Sequence, residues 1–163
     1  MLANEMDVSR TRYRIDPATP ADLDAMVRML GELFSIERDF QVDPAAQRRG
    51  LELLLANPTR AALLVARPEG GGPAIGMATG QLVVSTAEGA PSLWVEDLIV
   101  GAQARGCGVG RALLAALLDW ARAGGATRAQ LLADAGNAPA TAFYDHVGWQ
   151  PTNMIARRMR LDS

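Results

Sequence analysis

From Ser92 to Gly125 the sequence passes through three contrasting stretches. Ser92–Val100 reads as a strand, Arg105-Gly106-Cys107-Gly108-Val109-Gly110-Arg111 is a glycine-rich loop, and a helix is expected from about Gly108 to Ala123. Leu113, Leu117 and Trp120 give that helix one apolar face, and Gly124-Gly125 ends it as helix C-termini prefer. A strand that turns through glycine into an amphipathic helix must bury that helix somewhere, so the chain is expected to pack helices on a sheet.

The flanking sequence supplies the other elements. Tyr13–Asp16 reads as a first strand. Thr19-Pro20-Ala21-Asp22 places a capping hydroxyl, a proline and an acid at the spacing of a helix start. Leu23, Met26, Val27, Leu30 and Phe34 then recur at helical period to about Ser35. A second helix is predicted over Pro44–Ala56, stopped by Asn57-Pro58. Ala61–Arg67 is continuously apolar, as a strand covered on both faces would be. After a loop at residues 68–73, Ala74–Val84 completes a hairpin, and Arg128–Ala133 is a later strand. Pro139–Val147 is a short helix stopped by Gly148, and Trp149–Leu161 is a final extended segment. The expected order is β-α-α-β-β-β-α-β-α-β: an α/β chain with a mixed, partly parallel sheet, one domain over residues 13–163 behind a tail at residues 1–12.

Composition narrows the partners. Sixteen basic against eighteen acidic residues leave a net charge of −2, which disfavours a phosphate-gripping nucleic-acid binder. The longest apolar runs, Ala61–Ala66 and Ala112–Leu118, fall far short of the ~20 residues of a membrane helix, and residues 1–12 hold no signal-peptide core. The single cysteine, Cys107, forms no internal disulfide and suits a reducing compartment. A cytoplasmic protein, with neither nucleic acid nor membrane as partner, is the expectation.

A glycine loop at a helix N-terminus presents backbone N–H groups and a favourable dipole to phosphate, though it also serves as a plain tight turn. A phosphate loop of the ATPase type needs Lys-Ser or Lys-Thr after its second glycine, and none follows. A dinucleotide fold places its glycines after the first strand and needs a second half-domain, for which too little chain remains after Gly106. The remaining pattern is Arg-x-x-Gly-x-Gly, formed by Arg105, Gly108 and Gly110.

Together with Asn137, Phe143-Tyr144 and Gly148-Trp149, this pattern resembles the acetyl-CoA-binding core of the GNAT superfamily of N-acetyltransferases. Trp94–Gly148, with Glu96-Asp97 set between apolar residues, is similar to diamine acetyltransferases in particular, and Arg14–Phe34 resembles the superfamily's first strand and helix. The resemblance implies the acyl-CoA N-acyltransferase fold and acetyl-CoA as co-substrate, with no metal. It implies further that the Leu98 backbone N–H holds the thioester carbonyl oxygen while Ile99 and Val100 contact the pantetheine arm. Arg105, Gly106, Cys107, Gly108, Val109, Gly110 and Arg111 would cradle the pyrophosphate, Asn137 would bond the pantetheine arm, and Tyr144 would protonate the leaving thiolate. Homodimers are frequent among similar proteins.

An alkyl ammonium with a pKa of ~10.4 is mostly protonated at pH 7, and freeing its lone pair costs roughly 4–5 kcal/mol, so a proton acceptor is useful. Glu96 matches that role. Asp97 should lie on the opposite face of a regular strand, unless a bulge exchanges the two, and either carboxylate could be structural instead. Tyr144 could equally be a core tyrosine bonded to backbone. His146 reads as a surface residue, Cys107 as a bystander thiol, and Met26 and Met29 as core. Glu32, Glu37, Asp39 and Asp43 form either a solvated helix end or a site for a cationic amine, offset by Arg38, Arg48 and Arg49. The expected activity is direct acetyl transfer from acetyl-CoA to a primary amine of a small molecule. The alternatives are acetylation of peptide or protein amines, a non-catalytic acyl-CoA-binding module and, more distantly, a nucleotide-binding oxidoreductase.

Overall fold

Short polar signals set the element ends, and the apolar stripes between them set the packing. The computed structural model describes residues 12–37 and 39–161, so all of the expected tail but Arg12 lies outside the described residues. In chain order the elements are β1 (Tyr13–Pro17), α1 (Leu23–Ile36), α2 (Pro44–Leu55), β2 (Ala61–Pro68), β3 (Gly76–Ser85), β4 (Ala90–Val100), α3 (Val109–Ala123), β5 (Arg128–Leu131) and α4 (Ala138–His146). The described residues divide between Gln130 and Leu131 into two compact units.

The first unit is built on a sheet of order β1-β2-β3-β4-β5. The first four strands pair antiparallel with their neighbours. β5 is reached by a crossover through α3, as parallel neighbours are. Its start is tied to that of β4, because Thr127 N donates to Pro91 O at 3.1 Å and Ser92 Oγ to Arg128 O at 3.3 Å. Side chains alternate across β3. Met77 joins Ile99, Val65 and Leu63 in a core with Leu23, Met26, Leu30 and Leu51 of α1 and α2. On the other face, a Cβ on Gly76 would come within 3.0 Å of Val109 and 3.1 Å of Leu113, so α3 rides directly on the strand backbone. Helices on both faces explain why β2 is buried from Ala61 to Ala66.

The start of α1 shows how local and tertiary signals combine. A 3-10 turn at Pro20–Asp22 precedes the helix, and the Thr19 N–H and hydroxyl both donate to Asp22 Oδ2, at 2.7 and 3.0 Å. Arg67 of β2 adds two charge-assisted bonds to the same carboxylate, at 2.6 and 2.7 Å. The Arg67 bond leads in lowering the Asp22 pKa from 3.8 to about 2, against the cost of burial. Because the folded value lies below the unfolded one, this contribution is complete above about pH 4 and is lost as the pH falls toward 2.

The sequence reading needs one correction here. Trp149–Leu161 was expected to end the chain as a strand, but residues 151–161 carry no strand and are exposed throughout. Met154-Ile155, Met159 and Leu161 keep no unbroken two-residue alternation, Pro151 removes a donor, and Arg157, Arg158 and Arg160 interrupt the apolar residues, so no face forms that a sheet could bury. The second unit is instead organised around α4. Asn137 caps it by accepting from Ala140 N at 3.2 Å, and Trp149 N donates to Tyr144 O at 2.9 Å. The Tyr144 ring meets Phe143 edge-on at 5.3 Å and Trp149 at 6.0 Å between centroids.

Candidate active site

The direction of each backbone amide in β4 follows from the ladder. Leu82 N donates to Arg60 O, so the even-numbered residues of β3 turn their N–H and C=O groups toward β2 and the odd-numbered ones toward β4. Met77 and Thr79 therefore form the hydrogen-bonded pairs with Ile99 and Asp97. Leu98 and Val100, between them, must direct their N–H and C=O away from β3. Val100 O accepts from Arg105 Nε at 3.1 Å. β5 starts beside Ser92, and four residues of a parallel strand at ~3.3 Å each extend only to about Val95. Beyond it, no described strand pairs with this edge of β4. Ile99 differs from its expected role: its backbone belongs to the β3 ladder and its side chain to the core.

β4 leads through a short 3-10 turn (Ala102–Ala104) into the glycine loop. Gly106 and Gly108 have φ of +76° and +79°, a region that side chains with a Cβ rarely adopt. Gly108 is the residue before α3, and no side chain caps that end. The first N–H groups of an α-helix have no partner within it, so those of residues 108–111 are left to an anion. Leu98, Val100, the loop and the start of α3 thus offer backbone donors in one continuous stretch, which suits a thioester arm followed by a pyrophosphate.

Opposite this edge lies a bulge. Thr79 pairs with Asp97 but Gly80 pairs with Val95, so Glu96 is an extra residue on β4. A regular strand would put Glu96 and Asp97 on opposite faces. The bulge instead lets both line one cavity of about 310 Å³ with Leu30, Phe34, Gln47 and Gln81. Glu96 is exposed and accepts from Trp94 Nε1 at 3.1 Å. Asp97 is 8% exposed and accepts from Thr79 Oγ1 at 2.6 Å. Burial pushes the Asp97 pKa up from 3.8 to about 6; the Thr79 bond opposes the rise, and the negative charges of Glu96 and Glu37 add to it.

The acidic set separates by role. Asp43 caps α2 by accepting from Ala46 N at 3.0 Å, Glu32 and Asp39 are exposed, and Glu37 acts on Asp97. Arg48 is bonded to Asp24, Arg49 is exposed, and Arg38 lies outside the described residues. Cys107 is half-buried, with Sγ 3.7 Å from Arg105 O, and Met26 and Met29 are core. Asn137 and Tyr144 belong to the second unit, where Asn137 Oδ1 is spent on the cap of α4 and its amide N–H groups are left for other use. His146 is exposed at the end of α4, and no cluster of three metal-ligating side chains occurs among the described residues. The sequence reading missed Thr79 and Gln47. Each is a polar residue on an otherwise apolar buried stripe, and that is the signal by which both could have been found.

The sequence matches the acetyltransferase (GNAT) family over residues 28–149. No curated protein sequence matches it. Among solved structures it is similar to a transcriptional regulator from Bacillus halodurans C-125, at 23% identity and a TM-score of 0.78, covering 92% of this chain and 100% of that one. A glucosamine-6-phosphate N-acetyltransferase from Arabidopsis thaliana follows at 18% identity and 0.73, with 93% and 99% covered. The aminoglycoside N-acetyltransferase AAC(6')-Iy in complex with CoA is similar at 18% and 0.76, with 93% and 96% covered. No helix among the described residues is long and apolar enough to cross a membrane. With the family matched over residues 28–149, most of its length, this chain is a member of the GNAT family, an N-acetyltransferase that uses acetyl-CoA.

Proposed function

We propose that the protein transfers acetyl directly to the primary amine of a small molecule held in the cavity beside Glu96 and Asp97. The bulge carries this reading, because it lets two adjacent acidic residues line one open cavity on the strand that also presents Leu98. Acetyl-CoA supplies an activated acyl carbonyl. The Leu98 N–H donates to the carbonyl oxygen, where negative charge grows as the amine attacks. Val100 lines the pantetheine arm, and the backbone of residues 105–111 holds the pyrophosphate.

Glu96, the more open carboxylate, accepts the proton the amine must lose, and Asp97 keeps the cavity negative toward a cationic acceptor. The new N–C bond forms as the C–S bond breaks. Tyr144 gives its hydroxyl proton to the departing sulfur, and Asn137 donates to the pantetheine arm. A reducing cytoplasm suits the lone Cys107.

The test is release of free CoA thiol from acetyl-CoA in the presence of diamines, amino alcohols, amino-acid amides, aminoglycosides or short peptides. The expected result is turnover of small amines at a kcat/KM above that of every peptide. Faster turnover of peptides would refute the small-molecule acceptor, and acetyl-CoA binding without thiol release from any amine would refute catalysis.

A further inference from the structure

Gln47 sits on the face of α2 that packs toward the sheet, one turn before Leu51, where an apolar residue would complete the core. It is only 8% exposed, and neither Oε1 nor Nε2 has a hydrogen-bond partner among the described residues. Buried amides are normally satisfied, so an enclosed one with both atoms idle needs an explanation. Gln47 also lines the cavity that Glu96 and Asp97 line, whose other walls include Leu30, Phe34 and Leu54. The walls of that cavity therefore carry two carboxylates, apolar side chains and two neutral amides, Gln81 and Gln47, of which Gln47 is the buried one with both a donor and an acceptor unpartnered.

We infer that Gln47 is a specificity-determining residue, which reads a neutral amide or hydroxyl next to the reacting amine of an acceptor with an apolar body. This rests on the cavity being the acceptor site. A carboxamide complements the Gln47 amide with one acceptor and one donor. An anionic group in the same place would face Glu96 and Asp97 and be repelled. The amide atoms are enclosed, so a rotamer change in Gln47 accompanies binding. A site built around a hydrogen bond discriminates strongly against analogues that lack it, because its own polar atoms are then left unpaired.

The experiment compares leucinamide with 3-methylbutylamine, the same body without the carboxamide, on the wild type, Gln47→Leu and Gln47→Met. Binding is read by calorimetry with CoA present, and turnover by thiol release. Leucine is apolar and of similar volume, methionine keeps the unbranched length of glutamine, and the second covers a failure of the first to fold. Leucinamide should bind about tenfold more weakly to each variant, while 3-methylbutylamine changes less than about twofold. Equal loss for both amines, no loss for leucinamide, or no leucinamide binding to the wild type would overturn the assignment. A wild type that binds leucinamide but releases no thiol with any amine would sink the acetyl-transfer reading instead, and calorimetry would still decide the role of Gln47.

Discussion

A carboxyl group in the surroundings of Asp97 carries a pH signature. Its folded pKa of about 6 lies above the 3.8 of the free group, so the folded protein binds this proton more tightly than the unfolded chain. The resulting stabilisation is complete below about pH 4 and is lost as the pH rises through 6, leaving a buried charge that costs on the order of 3 kcal/mol. Asp97→Asn keeps the shape and can still accept from Thr79. The variant should match the wild type near pH 4 and exceed it by up to about 3 kcal/mol at pH 8, as urea unfolding at the two pH values would show. A second expectation concerns Tyr144→Phe, which leaves the ring contacts with Phe143 and Trp149 in place. If the hydroxyl protonates sulfur, kcat should fall on the order of 10²-fold with acetyl-CoA affinity unchanged, a split that steady-state kinetics and calorimetry resolve. Glu96 and Asp97 were legible in the sequence as candidates. Their shared cavity was not, because whether neighbouring side chains alternate depends on a register shift that only the pairing of β3 with β4 decides. Gln47 and Thr79 left a fainter signal of the same kind, one polar residue in an apolar stripe, which enclosure in the fold brings out.

At the scale of elements, the helices were the easier part to read. Thr19 and Asp22, Asp43-Pro44, Gly108, Asn137 and Gly124 mark their ends by local chemistry that acts within one turn. Strand ends drifted by one or two residues, and the last strand did not form, because strands are completed by partners distant in sequence. The start of α3 provides the sharpest test at this scale. Gly108→Glu introduces a Cβ at φ +79° and a negative charge at the uncapped helix start proposed to hold the pyrophosphate. The conformational penalty is roughly 1–2 kcal/mol, small enough for the fold to survive. Calorimetry should find acetyl-CoA binding abolished in a variant whose circular dichroism is unchanged, and undiminished affinity would remove the loop from the binding site.

Across the whole molecule, the family was legible because its marks are spread along the chain and must occur together: Arg105, Gly108 and Gly110, then Asn137, then Phe143-Tyr144. The proposed acceptor cavity was less so, because it gathers residues from α1, α2, β3 and β4 that no short motif unites. All sixteen basic residues are arginines, so no lysine amine competes with the acceptor for the enzyme's own acetyl donor. The bulge has a consequence of another kind, concerning insertions and deletions. Val95, Asp97 and Leu98 already stand opposite Gly80, Thr79 and Ala78 in unbroken succession, so Glu96 is a residue added to a sheet that does not need it. Removing one residue from a central strand ordinarily throws everything beyond it onto the wrong face. Removing Glu96 should instead shift nothing: the deletion variant is expected to unfold within about 1 kcal/mol of the wild type while losing the activity proposed to depend on this carboxylate. Deleting Val95 keeps the register too, because Glu96 then stands opposite Gly80. But it buries a carboxylate where Val95 is 4% exposed and should cost on the order of 3 kcal/mol, a contrast that thermal unfolding of the two variants would show. One codon at the register shift between β3 and β4 is the difference between a plain structural strand and one that carries a second carboxylate.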